Sequence, residues 1–324
     1  MVSRTGTQQD IANTSLKNIL SKFEIPISRE NVSIFNKMIS EPSAFYREFK
    51  IPKRKGGIRT ITAPYPTLSY IQKLISERYL TKVNPSEHAF AYVKGRSVVD
   101  HARVHLNSTE LLTVDIKSFF DSIRQQTIFE IYQSLGLSYS EAAYLTRIST
   151  LNGGLPQGAC TSPILSNIAF YPLDVRLNNL AEKLGLKYSR YADDLAFSGT
   201  VVPKNLHRTI DSIIKSYNFE LNQSKTKYKL EKSKKIITGV SISSGVLKAP
   251  KSFKRALRAE VYKLEKYKDN LSDMDGFEPL IYEKTIGKLN FVLQVEPNNL
   301  YAQEKRKTLI SDYKVFSSKA TNLI

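Results

Sequence analysis

At 324 residues, with 41% hydrophobic residues, the chain is long enough to bury a sizeable core and is not composed as a disordered tail. Its 48 Lys+Arg against 30 Asp+Glu give a formal net charge of +18, an excess that favours a polyanionic partner, because each phosphate neutralised by Lys or Arg releases condensed counterions. The single cysteine, Cys160, excludes an intrachain disulfide framework and a cysteine-built zinc site.

In chain order, Met1 to Phe23 is polar and lacks the apolar core of a signal peptide. No run approaches the roughly 18 apolar residues of a membrane span, so a cytoplasmic setting without membrane contact is expected. Residues 10–40 read as helical, with Leu16, Ile19, Leu20 and Phe23 spaced to bury one face. In FYREFKIPKRKGGIRTITAPYPTL (45–68), a Lys-Gly-Gly turn separates two apolar-alternating runs, which predicts a β-hairpin with a basic tip, followed by a helix over 68–80. ELLTVDIKSFFDSI (110–123) begins as a buried strand and passes into a helix after Asp115. A Gly/Pro-rich loop at 151–160 runs into a long helix. LKYSRYADDLAFSG (186–199) is strand-like on both sides of Ala192-Asp193-Asp194, which puts the two carboxylates at a hairpin turn. A helix near 203–217, a strand-like KIITGVSIS (235–243) and a helical region from 248 complete the reading. Strands and helices interleave without regular βαβ alternation, so the class is α+β.

Three carboxylates stand out as chemistry. Phosphoryl transfer to a 3′-hydroxyl needs a lowered hydroxyl pKa and neutralised phosphate charge, and two Mg²⁺ ions roughly 3.5–4 Å apart meet both needs. Mg²⁺ takes oxygen ligands and completes its shell with substrate phosphates and water. Asp115 at the end of one apolar strand, and Asp193 and Asp194 at the tip of an apolar hairpin, would supply those ligands if the two elements lay side by side. An isolated Asp-Asp pair is ordinary turn chemistry. The signal is the ordered set of strand–Asp115, LPQGACTSP, YADD and NQSKT.

VDIKSFFDSI, GGLPQGACTSPILSN and YADD resemble, in order and spacing, the three palm motifs of reverse transcriptases. KIPKRKGGIRTI resembles the fingers motif of that family, and NQSKT and ITGVSIS its later palm motifs, so the likeness covers about residues 45–245. The resemblance implies a right-hand polymerase architecture: N-terminal helices and fingers with part of the palm over 1–110, a palm of antiparallel sheet and helices over 111–245, and a small helical thumb over 246–324. It implies an RNA-directed DNA polymerase using two Mg²⁺ ions, with Mn²⁺ as a substitute, and dNTPs as substrates.

Residue by residue, the resemblance makes Asp115, Asp193 and Asp194 the metal ligands, joined by the Ile116 backbone carbonyl. Phe120 falls where the family places the ring that excludes a ribose 2′-hydroxyl; the alternative is an ordinary core phenylalanine, as its neighbour Phe119 is read to be. Arg59 and Lys53 match the fingers residues that contact the triphosphate, a task suited to the planar guanidinium fork. Gln157 would approach the sugar and base, and Gly158 would permit close backbone approach. Lys225 would donate a proton to the leaving pyrophosphate, or else belong to a solvated face with Lys227, Lys229 and Lys232. Cys160 is read as a small packing residue, and His101 with His105, which lack the Glu of the protease motif, not as a zinc pair.

Within the family, the chain resembles bacterial retron enzymes. HARVH (101–105) matches their Asn-Ala-x-x-His element except that His101 replaces Asn, and Ile237-Thr238-Gly239 matches their Val-Thr-Gly except at the first position. About 80 residues follow the palm, too few for a maturase region or an RNase H domain. The resemblance implies a structured noncoding RNA as template and primer, RNA-linked branched DNA as product, a role in anti-phage defence, and a separate effector protein. In the C-terminal region, Phe253, Leu257, Val261 and Leu264 recur on one helical face while Lys251, Lys254, Arg255 and Arg258 fall largely elsewhere, as on a thumb helix lying along an A-form duplex. The competing readings are an idle polymerase fold that only binds RNA, a group II intron-like enzyme, and a nucleotidyltransferase that needs no template.

Overall fold

The computed structural model describes residues 14–52, 56–268, 270, 274 and 278–321. The expected helix over 10–40 is two helices, α1 (14–22) and α2 (Arg29–Ser40). Pro26 cannot continue a helix, Glu24 takes φ +58°, and the Ser28 hydroxyl caps α2 by accepting the Asn31 amide at 3.1 Å. Leu16, Ile19, Leu20 and Phe23 are buried as expected.

The basic hairpin is β1 (Tyr46–Pro52) paired antiparallel with β2 (Ile58–Pro64), in register from Tyr46 opposite Pro64 to Pro52 opposite Ile58. It stands largely clear of the core, and α3 (Pro66–Arg78) follows with Pro66 in its first turn. A loop of 83–97 leads to α4 (Val98–Val104), which Ser97 and Asp100 start with a reciprocal capping box. Then come β3 (Glu110–Asp115), the single turn α5 (Phe119–Ser122), α6 (Gln125–Ser134), α7 (Tyr139–Ser149) and the long α8 (Ser162–Lys183). The helix expected directly after Asp115 starts late. Asn222 and Lys117 amides donate to the Asp115 and Glu220 carbonyls at 2.7 and 2.8 Å, which keeps the chain extended past the strand.

Strands β4 (Lys187–Tyr191) and β5 (Asp194–Gly199) form the second hairpin; α9 (Leu206–Lys215), β6 (Lys227–Lys229), β7 (Ile236–Ile237) and β8 (Val240–Ser241) follow. The run 235–243 is therefore not one strand. Thr238 and Gly239 both take positive φ, +43° and +87°, and fold it into a tight hairpin. The chain closes with α10 (Lys251–Lys266), α11 (Ile281–Val295) and α12 (Leu300–Thr321).

The central sheet is antiparallel in the order β4-β5-β3-β6 and is covered on both faces. Leu112, Val114, Leu195 and Phe197 enter the main core with α3, α6 and α8 residues such as Ile75, Ile128 and Phe170. Leu111 and Ala196, pointing the other way, join Val99, Ala102, Ile237 and Val240. Helices α10 to α12 gather a core of their own around Leu257, Val261, Leu289 and Leu309. Among the described residues, no helix is long and apolar enough to cross a membrane.

Candidate active site

The sheet register brings the three aspartates to one end. Asp115 closes β3 directly opposite Asp194, which opens β5, and Tyr191 pairs with Asp194, so Ala192 and Asp193 form the turn. Ala192 takes φ +56°, an uncommon conformation for a residue with a Cβ, and is held there while buried. The Ile116 amide donates to the Asp193 carbonyl at 2.9 Å and ties the end of β3 to the turn. Burial, followed by the charge of Asp115, raises the Asp193 carboxyl above its ordinary value.

Lys225 sits against this cluster. Its ammonium donates to both Asp115 oxygens at 2.8 Å. Burial alone would lower its pKa, but the Asp115 hydrogen bond and the charges of Asp115, Asp193 and Asp194 outweigh burial and raise it. A cation thus already answers the acidic end of the sheet, and the donors there are all oxygen, the chemistry of a Mg²⁺ site. Among the described residues, no three His, Cys, Asp or Glu side chains are gathered as a metal cage. Asp115 is instead turned to Lys225. A metal that completes its shell with phosphate and water needs no closed protein cage, so the residues fit the group.

The Pro-Gln-Gly turn docks on the hairpin. The Gln157 carbonyl accepts the Thr62 amide at 2.9 Å, and Gly158, at φ +132°, lies so close that a Cβ would stand 2.8 Å from the Thr62 carbonyl oxygen. The close approach that Gly158 permits is therefore to β2. Arg59 is exposed on the same hairpin, and its charge is felt at Asp193. Lys53 lies outside the described residues. Phe120 is half-buried between two rings: Phe119 at 5.4 Å in the core, and Tyr92 at 6.2 Å. Phe119 is a core residue, as expected.

Supports of the hairpin that the sequence reading missed lie behind it. Arg190, fully buried, donates to both oxygens of buried Asp174 at 2.8 and 2.7 Å, to Asn167 at 3.1 Å and to the Ala192 carbonyl at 3.3 Å. It stacks 4.5 Å from the Phe170 ring centre. The available signal was an Asp on an apolar helix face, Asp174 among Phe170, Leu173 and Leu177; Arg190 lies in the polar run KYSRY and gave none. Both His105 nitrogens are engaged, by Ser198 at 2.7 Å and Ser189 at 2.6 Å on the two hairpin strands. His101 meets Thr238 at 3.2 Å, joining the HARVH and ITG segments. Burial pushes His101 down to about 4 and His105 well below its ordinary value, so both are neutral. Cys160 packs with its Sγ 3.3 Å from the Ser69 hydroxyl, and its amide donates to Gln72.

On α10, Lys251 and Arg255 are exposed, and Arg258 is exposed with its guanidinium 5.1 Å from the Tyr301 ring centre. Lys254 departs from the set. Its ammonium pairs with the Glu296 carboxylate at 2.8 and 3.1 Å, because Glu296 already accepts the Ala249 amide and leaves a half-buried charge to be answered.

Comparison with known proteins bears on this arrangement. The family described as reverse transcriptase (RNA-dependent DNA polymerase) matches residues 51–254. The chain is 30% identical over 263 residues to the retron Mx65 reverse transcriptase of Myxococcus xanthus, covering 74% of this chain and 61% of that protein. It is 27% identical over 282 residues to the retron Mx162 reverse transcriptase of the same organism, covering 75% of this chain and 58% of that protein. Similarity to the retron Ec83 reverse transcriptase of Escherichia coli is 28% over 283 residues, covering 82% and 88%. The chain thus spans about three fifths of the length of the two Myxococcus relatives.

Proposed function

Since this chain belongs to the reverse transcriptase (RNA-dependent DNA polymerase) family, we propose that it copies RNA into DNA by two-metal nucleotidyl transfer. The observation that supports this best is the register that sets Asp115 opposite Asp194 with Asp193 in the adjoining turn. In this reading 1–110, 111–245 and 246–324 serve as fingers, palm and thumb.

Asp115, Asp193, Asp194 and the Ile116 carbonyl would hold two Mg²⁺ ions, with Mn²⁺ as a substitute. Bound there, the ions lower the pKa of the primer 3′-hydroxyl and neutralise charge on the attacked phosphate. Arg59, joined by Lys53, binds the triphosphate of the incoming dNTP as a fixed fork. Gln157 faces the sugar and base, and Gly158 holds that turn against β2. The Phe120 ring excludes a 2′-hydroxyl. Lys225, exchanging Asp115 for the substrate, donates a proton to the leaving pyrophosphate. Lys251, Arg255 and Arg258 lie along the backbone of the template–product duplex.

The likeness to retron enzymes supports the finer reading. The template and primer are one structured noncoding RNA, the product is single-stranded DNA joined to it, and the setting is the bacterial cytoplasm. A separate effector protein and a role in phage defence belong to the same proposal.

The test is Mg²⁺-dependent extension on RNA templates of differing sequence, beside the nucleic acid that copurifies from cells. The expected product follows each template, RNA-linked DNA accompanies the wild type, and the Asp193→Ala/Asp194→Ala variant binds RNA without extending it. Product indifferent to template would make it a template-free nucleotidyltransferase. RNA bound by wild type without synthesis would make it an RNA-binding module.

A further inference from the structure

Residues 86–97 form no regular element but are anchored at several points. The Phe90 amide donates to the Arg190 carbonyl at 2.8 Å and the Arg190 amide to the His88 carbonyl at 2.7 Å, so this segment lines the edge of β4. The Arg96 guanidinium donates to the Ser86 and Ala89 carbonyls, each at 2.6 Å, and lies 5.6 Å from the Phe90 ring centre. Asn167 donates to the Ala91 carbonyl at 2.9 Å, and Ala91 is buried.

Directly after that anchor, Tyr92 takes φ +61°, a left-handed conformation disfavoured for a side chain of its bulk. The residue is 47% exposed, so it adds little to the core. Strain kept by a fixed loop around a half-exposed aromatic points to what the ring touches. What it touches is Phe120, with ring centres 6.2 Å apart and planes at 49°. Phe119 closes the other side of Phe120 at 5.4 Å and is itself locked against Phe170 at 5.7 Å. The Phe120 backbone is pinned as well, its carbonyl accepting the Leu155 amide at 3.2 Å. Of its two aromatic neighbours among the described residues, Phe119 belongs to the core and Tyr92 does not.

We propose that Tyr92 is a positioning residue for sugar discrimination: its ring backs Phe120, so that Phe120 cannot swing away from an incoming 2′-hydroxyl. This rests on reading Phe120 as the sugar gate. The wall is the ring and not the hydroxyl, because the contact is ring to ring.

The test measures kcat/KM for single dNTP and rNTP additions on one primer–template with wild type, Phe120→Ala, Tyr92→Ala, Tyr92→Phe and the Phe120→Ala/Tyr92→Ala pair. Tyr92→Gly, which suits the left-handed backbone, stands in for Tyr92→Ala if the latter folds poorly. Loss of one aromatic contact predicts a roughly three- to tenfold fall in dNTP preference for Tyr92→Ala, arising mainly from faster rNTP addition. Tyr92→Phe restores the preference, and the double variant is no more permissive than Phe120→Ala, since a brace has no effect without the ring it holds. If Phe120→Ala relaxes selection while Tyr92→Ala or Tyr92→Gly leaves the ratio unchanged, Tyr92 is not the brace and the gate reading stands. Independent, additive effects in the double variant also overturn the brace. If Phe120→Ala itself leaves the ratio unchanged, the gate reading fails and this inference with it.

Discussion

Asp193 holds its negative charge at a cost. It is half-buried beside Asp115, and burial first and that neighbouring charge second raise its carboxyl above the ordinary 3.8. A carboxyl raised by folding favours the folded state most when protonated, and that contribution is lost as pH rises from the ordinary value through the raised one. At neutral pH the charge therefore opposes folding. Asp193→Asn should leave the metal-free protein with an unchanged or higher Tm at pH 7, while extension falls by at least the ~10–100-fold typical of groups one shell further from a metal. Thermal melting and primer extension check the two halves, and a lowered Tm with activity retained would make Asp193 a structural turn residue. The three aspartates were legible in the sequence because Asp115 ends an apolar run and Asp193-Asp194 sit at the turn between two strand-like runs. Lys225 was ambiguous among its lysine neighbours, and only the fold shows its ammonium on Asp115. Tyr92 gave no sign, because its place depends on anchors from residues as distant as Asn167 and Arg190.

Among the elements, the hairpins of 45–68 and 186–199 could be read from alternation and turn residues, since local chemistry decides them. The break at Pro26 and the folding of 235–243 into two short strands could not be read so directly. The second depends on Thr238 accepting positive φ while its hydroxyl is held by His101 and Val98 from a remote helix. The β1–β2 hairpin is fixed to the Pro-Gln-Gly turn, which makes Gly158 its sensitive point. Gly158→Ala forces a Cβ against the Thr62 carbonyl oxygen and a side chain into φ +132°. It should destabilise the protein by about 1–3 kcal/mol, and raise KM for dNTP as the strand bearing Arg59 is pushed away. Urea melts and nucleotide titrations measure both, and unaltered values would show the turn yielding freely. In the C-terminal helices, Lys254→Gln should cost roughly 1–3 kcal/mol, because it removes a charged partner from half-buried Glu296. Burial would raise the Glu296 carboxyl, but the Lys254 hydrogen bond, with those of Asn299 and Ala249, holds it below 4.5. The pair's contribution is present above that ordinary value and lost as pH falls through the lowered one, so the gap between variant and wild type should close in acid. Melting at several pH values tests this, and a gap independent of pH would deny the ion pair.

On the scale of the molecule, the α+β class and the ordered motifs were legible because a buried strand, a glycine turn and an acidic hairpin each follow from local pattern. Their assembly was not. The central sheet separates two cores, and the last three helices build a third, a division set by which faces meet across long stretches of chain. The net charge of +18 is likewise a whole-chain quantity whose location the composition conceals. Lys254 shows why a count misleads: its charge is used on Glu296, whereas Lys251, Arg255 and Arg258 are exposed on α10. If those three meet phosphates, replacing them together with Gln should flatten the dependence of RNA affinity on salt. Each phosphate contact contributes roughly 0.7–0.9 to the slope of log K against log[salt], so the change should be about two to three. Lys254→Gln should leave the slope nearly unchanged despite its cost in stability, and so should Asp193→Asn if Asp193 serves the chemical step as proposed. Preference for one structured RNA over another should fall only modestly, since phosphate contacts position a nucleic acid without reading it. Binding to several RNA hairpins across a salt series measures all of these. An unaltered slope in the triple variant would move the cationic contact off α10, with the exposed lysines around β6, Lys227 among them, as the next surface to alter.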